Sequence, residues 1–376
     1  MEKDRFVASF EKLDRLRLIR SENVGPVTWR RLMERYGSAT RALDALPGLA
    51  RNGGRARPIK VCPTAAARRE LETLERLGAR PLFLGDPDYP PLLAALEDAP
   101  PVLVVRGHEG LLTRPTVALV GARNASANGC RLAERLAADL GAAGLVVVSG
   151  LARGLDTAAH QGALASGTVA VMAGGVDVIY PPENAVLYEQ IVAAGAVVSE
   201  MPPGEQPQAR HFPRRNRLIS GLSLGVVVVE GAPRSGSLIT ARLAGDQGRE
   251  VMAVPGSPLD PRAQGPNGLI KNGAALVENA QDVLRVLEPV RARPMDEPGR
   301  PSLDGTPPAP LIDESDLAAA RAPLLAALDG APVPVDELIR RCQLSPALVA
   351  VLLLELELAG RLDRHPGNRV GLVLMP

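Results

Sequence analysis

The sequence predicts an α/β protein: a doubly wound, mostly parallel sheet with a helical domain before it and a small domain after it. Three observations predict this. Between about Arg80 and Leu287, the valine-rich runs "PVLVV", "VALVG", "LVVVSG", "TVAVMAGG", "AVVSE", "GVVVVEG" and "EVMAVPG" alternate with alanine-rich helical stretches. Apolar runs this short, each followed by a helix, mark strands of a parallel sheet covered on both faces. Residues 1–79 show only helical spacing, and residues 317–376 return to it after a proline-rich break. A chain of 376 residues has room for two or three domains.

In residues 1–79, Leu13, Leu16 and Ile19, then Trp29, Leu32 and Met33, recur at helix spacing. Between them "NVGPVTWRR" places Gly25-Pro26 in a tight turn that opens the next helix. The turn resembles a helix-hairpin-helix or SAM-like unit, whose backbone N–H groups can hold a phosphate. A small helical bundle with a glycine turn is the simpler reading and is preferred. Residues 80–287 are the sheet domain. Residues 288–316 are proline-rich and aperiodic, the composition of a flexible linker. In residues 317–376, "LAAARAPLLAAL", "VDELIRRC" and "SPALVAVLLLELELAGRL" read as helices and "LDRHPGNRVGLVL" as a hairpin, a winged-helix-like order. The third of these helices starts at Ser345 and carries Glu355 and Glu357, with no base before Arg361, a poor surface for a major groove. A protein contact, or a weak DNA contact, is expected of it.

The net charge of +1 gives no general attraction to polyanions, so a nucleic-acid site must be local. Lysine occurs only at Lys3, Lys12, Lys60 and Lys271; the other bases are arginines, which fork and stack. Cys62, Cys130 and Cys342 form no Cys-x-x-Cys pair, and the four histidines form no zinc motif, so neither a disulfide framework nor a metal is expected. The charged N-terminus is unlike a signal peptide and no apolar run spans a membrane, so a soluble, cytoplasmic protein is expected.

"VALVGARNAS", Val117 to Ser126, runs a buried strand into a helix N-terminus, a ready anion site. The dinucleotide fingerprint needs three spaced glycines, and those positions hold Gly121, Arg123 and Ser126. Ser149 stands where a nicotinamide site needs an acid, and no P-loop is present, so neither cofactor is expected. In "SGLARGLDTAAHQGAL", Asp156 and His160 fit a helix cap and a packed histidine better than an acid–base pair. Arg153 falls at the same sheet edge as Arg123, where open α/β sheets bind ligands. "ARHFPRRNRLIS" sets Arg210, Arg214, Arg215 and Arg217 around Phe212 without an acid. Guanidinium groups hold phosphates and a ring stacks a base, as single-stranded nucleic acid requires. One or two of these arginines are expected to pair with carboxylates instead. "RSGS" offers a second cradle at Ser235 to Ser237, and "QGPNGLIKNG" places Asn267 and Lys271 in a glycine-rich turn.

These stretches, with "FPRRNRLISGLS", "SGSLITARLAGDQGREVMAVPG" and "GPNGLIKNGAALV", follow one another between Val117 and Val277 in the order found in the DprA (Smf) family. The chain resembles that family throughout its core and in both flanking domains. The resemblance implies an extended Rossmann-like fold and a non-catalytic protein of natural transformation. Such proteins bind incoming single-stranded DNA in preference to duplex, protect it, load the RecA recombinase and act as homodimers. It also implies that Gly121, Ala122 and Arg123 form the DNA-binding turn, and that Phe212, Pro213, Arg214, Arg215, Asn216 and Arg217 match the Phe-Pro-x-Arg-Asn-Arg segment. A rival is the Rossmann-like phosphoribohydrolases that cleave nucleotides. Their Pro-Gly-Gly-x-Gly-Thr-x-x-Glu motif is missing, and "RSGSLITA" supplies no glutamate in its place.

Overall fold

The computed structural model describes residues 2–292, 313–365 and 367–373. They divide into two compact units, one drawn from residues 1–69 and 299–376, the other from 70–298. The chain opens with α1 (Glu2–Ile19), α2 (Pro26–Tyr36), α3 (Ala39–Asn52) and α4 (Thr64–Arg76). The strands of the larger unit are β1 (Ala79–Phe83), β2 (Val102–Gly107), β3 (Thr116–Val120), β4 (Val146–Ser149), β5 (Thr168–Val171), β6 (Ala196–Ser199), β7 (Gly225–Val228), β8 (Glu250–Ala253) and β9 (Ala275–Leu276). Its helices are α5 (Pro91–Ala94), α6 (Ala127–Ala142), α7 (Leu155–Ala163), α8 (Ala185–Ala194), α9 (His211–Gly221), α10 (Gly236–Asp246), α11 (Gln264–Lys271) and α12 (Ala280–Ala292).

One sheet runs β1-β2-β6-β5-β4-β3-β7-β8-β9. From β6 to β9 every neighbouring pair is parallel, in registers such as Val117 with Val147 and Leu119 with Val227. The run "PVLVV" behaves differently: β2 is antiparallel to both β1 and β6. A parallel connection needs a crossover helix, and between β2 and β3 the chain makes only a short 3₁₀ turn, Glu109–Thr113. The valine runs are buried on both sides because alternate residues serve two cores. Val117, Leu119 and Val147 pack with Leu136, Leu140, Leu155, Val283 and Leu287. Val104, Ala170 and Val197 pack with Leu187, Tyr188 and Ile191. Each such side chain contributes roughly 1.5–3 kcal/mol by leaving water. After β3 the chain builds outward on one side through β4, β5 and β6, then returns to build through β7, β8 and β9. The C-terminal ends of β3 and β7 therefore flank the switch point, where an open α/β sheet leaves a crevice.

Of the expected linker, 293–312 lies outside the described residues. The helix before it runs on through Ala292 and the next, α13, spans Glu314–Ala326. Then come β10 (Val333–Pro334), α14 (Val335–Cys342), α15 (Pro346–Leu358), β11 (Leu362–His365) and β12 (Arg369–Leu372). The expected hairpin is joined by a third short strand, giving the order β10-β12-β11. Ser345 caps α15, its hydroxyl accepting the Leu348 N–H at 3.3 Å.

The acids of α15 are used inside this smaller unit, against α2 and α3. Buried Glu355 accepts from Arg321 at 2.9 Å and from Asn52 at 3.4 Å. Glu357 accepts from Thr28 at 2.6 Å and Arg364 at 2.9 Å. The Asn23 amide donates to the Leu358 carbonyl at 3.1 Å, and Arg361 donates to the Gly53 carbonyl at 3.2 Å. The acids of this helix are thus spent on the chain's own N-terminal helices. The Gly25-Pro26 turn opens α2 as expected, with Gly25 at its cap and Pro26 as its first residue.

Gly53 sits at the closest approach, where an added Cβ would stand 2.0 Å from the Glu355 carbonyl oxygen. Gly53→Ala should therefore cost about 1–3 kcal/mol by overpacking. The chain's single tryptophan, Trp29, is fully buried in this unit, so its fluorescence reports the unfolding. A lowered fluorescence midpoint is expected; an unchanged one would show that the two segments do not pack this closely.

Candidate nucleic-acid interface

The first anion site expected from sequence is already filled. Glu230, just past β7, faces the start of α6 across the switch point. The Ser126 N–H donates to one of its oxygens at 2.9 Å and the Ser126 hydroxyl to the other at 2.5 Å. A helix N-terminus favours negative charge, and here the chain's own carboxylate supplies it. A pyrophosphate approaching that terminus would meet like charge, which corrects the expectation of a free phosphate cradle there.

What the β3–α6 turn presents instead is Arg123. Gly121 and Ala122 are half-buried, and the Ala122 carbonyl accepts the Leu155 N–H at 3.3 Å, which ties this turn to the β4–α7 loop. Arg123 is exposed and has no ion pair among the described residues. Its guanidinium carbon lies 5.1 Å from the centroid of the Phe212 ring, a cation–π contact worth roughly 0.5–1 kcal/mol at an exposed site. Phe212 is half-buried and touches Tyr180, with centroids 5.7 Å apart and planes at 58°. Arg153, also exposed, pairs with Glu183.

The basic run divides by depth. Arg210 precedes α9 and Arg214 lies on it; both are exposed, and Arg214 is 3.8 Å from Glu200. Arg215, Asn216 and Arg217 are buried. Arg215 lies 4.0 Å from Asp156, and its guanidinium fills the space over Gly150, where a Cβ would fall 1.3 Å from Nη1. Burial pushes its pKa down, opposed by Asp156 and reinforced by repulsion from Arg123. Arg217 pairs with Glu200 and donates to the Asp98 carbonyl at 2.5 Å. The Asn216 amide donates to the Gly236 carbonyl at 3.3 Å. These three side chains lie beneath the exposed arginines, engaged with partners inside the protein; pairing with carboxylates, expected of one or two arginines of the run, is seen for Arg215 and Arg217.

Asn267 and Lys271 are on α11, not in a turn. The Asn267 amide clamps Gly256, donating to its carbonyl at 2.8 Å and accepting its N–H at 3.1 Å. Lys271 is exposed but ends the helix, roughly 10 Å along its axis from the start. In the second cradle the Ser235 and Ser237 hydroxyls bond each other at 2.5 Å. Two exposed groups escaped the sequence reading. Arg234, in the β7–α10 turn, has no ion pair among the described residues; "PRSGS" drew attention to its serines. Tyr180 lay in a loop with no periodicity to flag it.

Asp156 is not the helix cap: Gly154 holds that position. Its carboxylate accepts the loop N–H groups of Gly150 at 3.2 Å and Ala152 at 3.3 Å. Burial pushes its pKa up, against the Arg215 charge and these hydrogen bonds. His160 is a packed histidine, as expected. Its Nε2 accepts the Leu151 N–H at 3.3 Å and its Nδ1 lies 2.8 Å from the Thr168 hydroxyl, which donates to the Val147 carbonyl.

The fold and this edge define a Rossmann-like α/β protein with Glu230 at the helix terminus beside its crevice and with arginines and rings along its rim. The chain belongs to the DNA recombination-mediator protein A family, the DprA or Smf proteins, which it matches over residues 80–288. It also matches a DprA-like N-terminal HHH domain over 9–73 and a DprA winged helix domain over 306–368. It is 48% identical to the DNA processing protein DprA of Streptococcus pneumoniae over 205 residues, 54% of this chain and 72% of that one. It is 41% identical to protein Smf of Escherichia coli over 292 residues, 76% and 75% of the two chains. The X-ray structure of the S. pneumoniae protein aligns with a TM-score of 0.61 at 38% identity, over 72% of this chain and 95% of that one. DNA processing protein A of Helicobacter pylori, solved for its single-stranded DNA binding mode, aligns with a TM-score of 0.52 at 29% identity, over 56% and 96%.

Burial pushes the His160 pKa from 6.5 down to about 3, with the Arg215 charge adding to it. Between those values the unfolded chain takes up a proton that the folded chain refuses, so stability falls as pH drops below 6.5. By pH 5 the loss from this residue should reach about 2 kcal/mol relative to pH 7.5. Urea unfolding at the two pH values should show a smaller difference in His160→Gln than in wild type. Equal differences would mean that His160 is not held neutral.

Proposed function

We propose that the protein binds single-stranded DNA along the rim formed by the β3–α6 turn, the β4–α7 loop and the start of α9. One observation carries this reading: Arg123 stands exposed on an aromatic ring, with no carboxylate among the described residues to neutralise it. Arg210 and Arg214 extend the positive edge, Arg153 stands on it paired with Glu183, and Arg215 lies buried beneath it. Arginines that hold phosphates, next to rings that meet unpaired bases, suit a single strand better than a duplex, whose bases are already stacked. The relative from H. pylori was solved for its binding of single-stranded DNA, which supports the same ligand here.

The family's description as recombination mediators supports a place in the recombination of incoming DNA. On that reading the protein acts in the cytoplasm during natural transformation, protects the strand, works as a homodimer and hands the strand to RecA. It acts by binding, not catalysis: His160 and Asp156 are engaged in packing, and Glu230 occupies the helix terminus a nucleotide's phosphate would need. No helix among the described residues is long and apolar enough to cross a membrane.

Arg123→Ala opens no core cavity and removes a charge-assisted phosphate contact. Single-strand affinity should fall, and the slope of log affinity against log salt should shrink by roughly 0.7, the value per single-strand contact. Gel shifts at several salt concentrations measure both. Unchanged affinity would remove this turn from the site.

A further inference from the structure

We infer that Tyr180 is the base-stacking ring of the rim, and that Phe212 is the wedge holding Tyr180 and Arg123 in place. The inference rests on the proposed single-strand binding and assigns the ring within it. The chain has four phenylalanines, four tyrosines and one tryptophan. In the larger unit Tyr180 alone among the described aromatics is exposed, at 45%. The other tyrosines of this unit are buried with their hydroxyls engaged: Tyr89 donates to the Pro100 carbonyl at 2.7 Å, and Tyr188 accepts from Arg106 at 3.0 Å. The Tyr180 hydroxyl has no hydrogen-bond partner among the described residues, so its ring is held at the surface by something other than a buried polar anchor.

Phe212 is poorly placed to receive a base itself. The Arg123 guanidinium lies over its ring and Tyr180 lies against it. Rings with centroids 5.7 Å apart are already in contact, so no base enters between them. The open aromatic surface of the cluster belongs to Tyr180. Its loop is fixed: buried Asn184, four residues on, donates to the Leu151 carbonyl at 2.9 Å and to the Thr157 hydroxyl at 2.9 Å. The loop carrying Tyr180 is thereby bolted to the one carrying Arg153, and Leu155 ties that loop to the Arg123 turn. A strand whose phosphates follow these arginines brings its bases past an exposed ring held on a fixed loop.

The test compares oligothymidylate with an abasic strand of equal length, which keeps the phosphates and lacks the bases. Tyr180→Ala should weaken oligothymidylate binding roughly five- to hundredfold, the range for one base–aromatic stack. Tyr180→Phe should bind as wild type does. On the abasic strand Tyr180→Ala and wild type should bind equally, since no base is there to stack. Wild-type affinity of Tyr180→Ala for oligothymidylate would overturn the assignment, as would an equal loss on both strands. If wild type held neither strand, the single-strand reading itself would fail.

Discussion

The rim depends on a guanidinium that never reaches it. Arg215 lies buried over Gly150, beside Asp156, and so welds the start of α9 to the loop between β4 and α7. Asp156 in turn holds the N–H groups of that loop. Both ions lose water: burial raises the pKa of one and lowers that of the other. Such a pair adds little net stability, but taking away one partner leaves a buried charge uncompensated, at roughly 3–5 kcal/mol. What the pair provides is position. Phe212 stands one turn before Arg215 on the same helix, and Arg123 and Tyr180 both rest on Phe212.

Glu230 does comparable work at the other side of the switch point. A parallel sheet with a helix after each strand creates a positive helix terminus beside the crevice, whatever the protein's purpose. Filling that terminus with an internal carboxylate satisfies the Ser126 N–H and hydroxyl. The arginine side chains are displayed further out, and on the proposed reading they are the groups that meet the strand's phosphates. The same economy shows in the smaller unit, where Glu355 and Glu357 bind α2 and α3.

Much of this was legible in the sequence. Strictly local patterns announced the valine strands, the Gly25-Pro26 helix start, the Ser345 cap, the arginine in the β3–α6 turn and the basic run at Arg210–Arg217. The antiparallel placement of β2 was not local, because it depends on which strand lies beside it. Nor could the run reveal which arginines face outward. Arg217 meets Asp98, 119 positions away, and Arg215 meets Asp156 across the sheet edge. Helical periodicity alone turns neighbours to different sides, but the carboxylates that decide the matter come from distant loops. Tyr180 was invisible for a related reason: a single ring in "IYPPEN" acquires meaning only once α9 sets Phe212 against it.

The basic run divides its labour between surface and interior, which an alanine scan of Arg210, Arg214, Arg215 and Arg217 separates. Each variant is read twice, by melting temperature and by the salt dependence of single-strand binding. Arg210→Ala and Arg214→Ala should melt as wild type does and lose affinity and salt slope. Arg215→Ala and Arg217→Ala should melt lower, because each strands a buried carboxylate. Four variants with unchanged melting and equal losses of salt slope would contradict it, since every arginine would then be a surface phosphate contact.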